Sequence, residues 1–194
     1  FDCIIRPSEG HSVEETVAAW LHTENDRFRA QLADLRGKVE LGVQIFWRVE
    51  EVSRGLAAGS AEISRLQGEM AGKPKGMAYF YQQKIEKALK AALEAKADAD
   101  YRRYFVAITA EAEDVRVNKL KRPAEGKQML LNLSLLAHRE RVEAIGRVLD
   151  GCQADPGVEV RFTGPWPPYS FVSTETAGSV QPANARADGR ATAF

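Results

Sequence analysis

The stretch Lys38-Val39-Glu40-Leu41-Gly42-Val43-Gln44-Ile45-Phe46-Trp47 alternates with a period of two. Val39, Leu41, Val43, Ile45 and Trp47 share one face, and Glu40, Gly42, Gln44 and Phe46 share the other. Successive side chains of a strand point to opposite sides, so the pattern predicts a strand with one face in a core. Upstream the period changes. Val13, Val17, Trp20, Leu21, Phe28, Leu32 and Leu35 recur at helical spacing and predict a helix over about 13–35. Ser12 and Glu15 stand three residues apart at its start, the spacing of a capping box. Gly37 follows its end. Before it, Phe1–Ile5 is short, apolar and rich in β-formers, which predicts a further strand, and Pro7–Gly10 reads as a turn.

Downstream, Val52, Leu56, Ile63, Leu66 and Met70 recur at heptad-like spacing, with Gly55 and Gly59 weakening the middle. Gly72–Gly76 reads as a turn, and Met77 to about Ala99 is rich in Ala, Lys, Glu and Gln, all strong helix formers. Tyr81, Ile85, Ala88, Ala92 and Ala95 form a narrow apolar stripe. The segment therefore predicts a helical hairpin over about 49–105, with 49–70 antiparallel to 77–105. A stripe of small residues buries little area, so part of the hairpin is expected to project from the body and to be its more mobile part. Val115 and Val117 predict a short strand, and Lys119–Gln128 a loop. Met129–Ala137 is apolar except for Asn132 and Ser134, which predicts a central strand covered on both sides. Val142, Ile145 and Leu149 predict a helix over Arg139–Leu149 that stops at Gly151; Val158, Val160 and Phe162 alternate as a last strand. The order strand–helix–strand, hairpin, strand–strand–helix–strand predicts an α+β fold. Its expected form is a ferredoxin-like, split-βαβ sheet with covering helices, an inserted helical hairpin and one extra strand.

Gly164-Pro165-Trp166-Pro167-Pro168-Tyr169-Ser170-Phe171-Val172 follows that strand. Proline fixes φ, removes a backbone donor and pushes the preceding residue towards extended geometry. A rigid segment must therefore place Trp166, Tyr169 and Phe171. Either the rings staple the chain end onto its own core, or they face a partner. Phe46, Trp166, Tyr169 and Phe171 are the candidate protein-binding residues, since such rings are common interface anchors. The competing expectation is that the helices beginning near 13 and 139 cover them, together with Leu130 and Leu136.

Composition narrows the classes. Of 194 residues, 27 are Lys or Arg and 27 are Asp or Glu, so no global charge draws the chain to nucleic acid or an anionic membrane. No apolar run approaches the ~18 residues of a membrane-spanning helix. Cys3 and Cys152 have no CxxC spacing and read as reduced core thiols. His11, His22 and His138 lack ligand spacing, so neither a metal nor a cofactor is expected. Lys75–Tyr81 partly matches an RNA-binding aromatic signature, but it runs into helix formers, so a helix start with buried rings is expected instead. Glu40 reads as a member of a cross-strand ion pair, and Glu86 as the partner of Lys90 on a helix. No paired carboxylates, nucleophile elbow or phosphate loop is present, so the chain is not expected to be an enzyme. Residues 173–194 are polar and small and are expected to form a flexible tail.

Arg161-Phe162-Thr163 with the proline-rich segment resembles the closing signature TGPWPPYxF of the GvpF/GvpL family of gas vesicle proteins. Leu35–Val43, Gly76–Phe80 and Met129–Leu136 are similar, in the same order, to other motifs of that family. The resemblance spans about Phe1 to Val172. It implies that residues 1–172 correspond to the family's C-terminal α+β domain, and that relatives carry another domain before it. It also implies a cytoplasmic, non-enzymatic role at the gas vesicle: helping the shell assemble by binding the small hydrophobic shell subunit and other accessory proteins. The alternative is a small-ligand binder or an enzyme on a ferredoxin-like scaffold, because that fold hosts many activities.

Overall fold

The computed structural model describes residues 10–172. The expected strand at 1–5, Cys3 and the expected tail at 173–194 lie outside the described residues. Helix α1, Val13–Asp34, begins at the predicted cap. Ser12 Oγ accepts from the Glu15 N–H at 3.2 Å, and Glu15 Oε2 accepts from the Ser12 N–H at 2.8 Å. None of the residues of α1 is buried, so this helix does not cover the sheet as the second expectation required. Its rings meet each other instead: Trp20 and Phe28 stand edge-on, with centroids 5.3 Å apart.

Strand β1, Lys38–Arg48, buries the five residues that the alternation singled out. It lies inside a sheet with β2 (Asp114–Val117), β3 (Lys127–His138) and β4 (Val158–Trp166). The order is β2-β3-β1-β4, and each neighbouring pair is antiparallel. On the core face, Val39, Leu41, Val43 and Ile45 oppose Ala137, Leu135, Leu133 and Leu131. Helix α5, Val142–Gln153, closes this face with Ile145, Leu149 and Cys152, running two residues past Gly151. Full burial of each branched side chain contributes roughly 1.5–3 kcal/mol, so this layer dominates stability. Cys152 is buried and free, and burial pushes its thiol pKa up. The β1–β3 register slips between Ile45 and Phe46, where Ile45 faces Leu131 and Phe46 faces Met129. Leu130 is the extra residue of this bulge and joins the core beside Leu131.

The hairpin has three helices where two were expected. Helix α2, Val49–Gly59, stops and α3, Ala61–Met70, begins, because Ser60 Oγ accepts from the Ile63 N–H at 3.2 Å and caps a new helix. Gly59 just before it offers little resistance to the break. Helix α4, Lys75–Thr109, has 35 residues and is thus roughly 50 Å long. Ile63, Leu66 and Ile85 make a small core separate from the main one, flanked by Met70, Tyr81 and Leu89. The later part of α4 places Tyr104 and Ile108 in the main core, so one helix joins both cores. A polar cluster fastens that junction. Tyr104 donates to Asp155 at 2.6 Å, and Arg103 pairs with Asp155 and, at 3.1 Å, with Asp100. The Tyr104 hydroxyl, then Arg103, holds Asp155 below the usual carboxylate range. Burial, above all, pushes the Tyr104 phenol up, so it stays a neutral donor. On the hairpin surface Glu86 accepts from Gln82 at 3.1 Å.

Candidate functional site

The site is built where β4 leaves β1. Strand β4 continues through Pro165 to Trp166, farther than the alternation predicted, and its place at the sheet edge tolerates the missing donor. Its register slips between Glu40 and Gly42, so Gly42 faces Thr163 while Glu40 faces Trp166. Gly164 holds φ at +114°, and a Cβ there would lie 2.8 Å from the Glu40 carbonyl oxygen. Only glycine fits that approach. The Gly164–Pro165 peptide is cis.

Beyond Trp166 the chain folds over the second face of the sheet. The Ser170 N–H and hydroxyl both donate to the Glu40 carboxylate, at 2.8 and 2.6 Å. This replaces the ion pair expected of Glu40; Lys38 instead meets Glu113 at 2.8 Å. Phe171 is buried beneath the Arg116 guanidinium of β2, which lies 5.2 Å from its ring centroid. Phe46 is also buried, with the Arg161 guanidinium 5.4 Å from its ring. Trp166 and Tyr169 are each 57% exposed. The four candidate residues thus divide: Phe46 is buried on the sheet beneath Arg161, Phe171 fastens the segment to the sheet, and Trp166 and Tyr169 stand on the surface. Stapling and surface display, alternatives in the sequence, occur in one nonapeptide.

Two concavities flank it. Leu32 and Leu35, at the end of α1, face Pro167, Pro168, Tyr169 and Val172 across an apolar cleft of about 530 Å3. On the open face of the sheet lies a polar trough of about 490 Å3, floored by Gln44, Asn132 and Ser134. Neither the Glu40–Ser170 latch nor this trough was legible in the sequence. Asn132 and Ser134, the only polar breaks in an apolar strand, were the available signal.

The other candidates resolve as follows. Lys75–Tyr81 is helical, so it cannot present rings from a strand as the RNA-binding signature requires. Tyr79 and Phe80 are exposed rather than buried, which corrects that expectation. His138 Nε2 lies 2.7 Å from Glu113 Oε1 at the sheet margin. Among the described residues no group of three or more His, Cys, Asp or Glu could hold a metal ion, and no helix is long and apolar enough to cross a membrane.

The family model described as gas vesicle synthesis protein GvpL/GvpF matches residues 10–173. The chain belongs to this family. Gas vesicle protein L of Haloferax mediterranei is 27% identical over 171 residues, covering 81% of this chain and 51% of that protein. Gas vesicle protein F of a Streptomyces species is 28% identical over 160 residues, covering 82% of this chain and 65% of that one. This GvpL/GvpF chain therefore spans 51% of the length of the first relative and 65% of the second. The crystal structure of gas vesicle protein GvpF from an Anabaena species aligns with a TM-score of 0.60 over 84% of this chain and 65% of that one. At 18% identity that likeness shows a shared α+β fold.

Proposed function

We propose that this GvpL/GvpF chain is a non-catalytic accessory protein of gas vesicle assembly, acting in the cytoplasm where the shell grows. It binds the small hydrophobic shell subunit and works with other accessory proteins. The observation that carries this reading is the family match over residues 10–173, which takes in the whole aromatic segment. The surface beside it supports the idea physically. Trp166, Tyr169 and the cleft against Leu32 and Leu35 offer rigid rings next to apolar surface, which suits an amphipathic partner. We read the sheet as ferredoxin-like, of the split-βαβ class. The order β2-β3-β1-β4 supports this, with the hairpin α2–α4 as the first crossover and α5 as the second. We assign residues 1–172 to the family's C-terminal domain on the resemblance of the closing motif; the chain spans 51% of the length of one relative.

The test is a pull-down of the chain against the major gas vesicle shell subunit, beside a Trp166→Ala, Tyr169→Ala double variant, with circular dichroism on both. Both rings are exposed, so the variant is expected to keep its fold and lose binding. Binding that survives, or disappears only with the fold, would return the segment to a purely structural role.

A further inference from the structure

We propose that the polar trough on the open sheet face docks a short acidic peptide segment of a partner protein. This inference does not depend on binding of the shell subunit. Lys119 and Lys121 form one wall, and Arg161 and Trp166 stand on the other. Among the described residues none of these three cations forms an ion pair at contact distance. Glu159 feels Arg161 only from farther off, because its carboxylate is held by Lys127. Among the described residues Glu40 is the one acid lining the trough, and Ser170 occupies both its oxygens. The whole chain balances 27 cationic against 27 acidic residues, so this excess is local.

The floor adds donors. Ser134 Oγ accepts from Asn118 at 3.1 Å, which leaves its own proton to give. A carboxylate only accepts, so it matches a site of cations and hydroxyl donors. The lysine wall is also held in place. The Asn118 N–H reaches the Asn132 carbonyl at 2.8 Å, the Asn132 amide reaches the Lys119 carbonyl at 2.7 Å, and the Lys121 N–H meets Met129 Sδ at 3.3 Å. Arg161 is steadied over Phe46. A wall fixed before binding loses little freedom on binding.

The width of the trough favours a peptide. Asn118 continues the line of β2, and β3 and β1 lie between it and β4, so the walls stand about three strand spacings apart, roughly 14 Å. Several carboxylates on one segment reach both walls as they stand, whereas a single small anion meets both only if the side chains lean inward. Trp166, more than half exposed, stands at the rim as apolar surface beside the charged walls.

The probe is a fluorescein-labelled peptide of six glutamates, with a six-glutamine peptide as control, followed by anisotropy on the full chain. The acidic peptide is expected to bind and the neutral one not, with affinity falling about tenfold between about 50 and 300 mM salt. Lys119→Glu with Lys121→Glu should weaken binding at least about tenfold, and Arg161→Gln, on the opposite wall, by a similar factor. Circular dichroism checks that each variant is folded. Lys84→Glu with Lys87→Glu, on the distant hairpin, should leave binding unchanged. The proposal is overturned if wild type does not bind, if the glutamine peptide binds equally, or if the hairpin variant weakens binding as much as the trough variants. Full displacement by about 1 mM inorganic phosphate would likewise replace a peptide site with a small-anion site.

Discussion

Glu40 and Ser170 lie 130 residues apart, yet two hydrogen bonds at 2.8 and 2.6 Å join them. Because the acceptor is a carboxylate, each bond is stronger than a neutral one. Glu40→Gln is therefore expected to lower stability by about 1–2 kcal/mol in urea denaturation, with Ser170→Ala giving a similar loss and the double variant adding little. Additive losses would mean that the two side chains do not act as a pair. Gly164→Ala should cost about 2 kcal/mol or more, since it meets both a positive φ and the Glu40 carbonyl. An unchanged urea midpoint would show that the backbone there can relax. Glu40 sat on the polar face of a predicted strand, so its exposure class was readable; its partner was not, because no local pattern ties it to Ser170.

The helices divide by what they pack against. Helix α5 buries its apolar face on the sheet, α1 buries none of its residues, and α4 serves two cores in turn. The cluster of Arg103, Tyr104 and Asp155 joins α4 to the turn before β4. Asp155 has its pKa depressed in the fold relative to about 3.9 in the unfolded chain. Its contribution is thus fully present above about pH 4 and lost as pH falls through the folded value. Asp155→Asn should lower stability by about 1–2 kcal/mol at pH 7, and the gap from wild type should narrow towards pH 3. Urea midpoints at both pH values check this; a gap that widens in acid would contradict the assignment. The hairpin's two arms were legible from helical spacing and strong helix formers. The break at Ser60 was not, because a serine in mid-pattern caps a helix only if the chain bends there, and packing of α3 on α4 decides that.

Two cores of unequal size predict two levels of stability. Ile63, Leu66 and Ile85 rely on few neighbours, whereas β1 is buried on its core face and β3 along most of its length. Amide exchange should be faster in α3 and the first half of α4 than in those strands. Leu66→Ala, at a cost of about 2–5 kcal/mol to the small core, should speed exchange in the hairpin and leave β1 and β3 protected. Equal acceleration everywhere would show that the two cores unfold together.

Local chemistry was sufficient for the elements. The capping box at Ser12, the alternation over 38–47 and the apolar run over 129–137 act within a few residues, so their outcome is written in the chain order. The motifs also sufficed for the family. What arose only on folding depends on register. The slip between Ile45 and Phe46 sends Leu130 into the core, and the slip between Glu40 and Gly42 sets where the proline-rich segment crosses the sheet. A shift of one residue in either pairing would turn side chains to the other face. The fate of each ring followed from that pairing: Phe46 and Phe171 became buried, and Trp166 and Tyr169 remained outside. Strand pairing is a contest between distant segments; periodicity within one segment marks which face is buried but not which residues it will pair with.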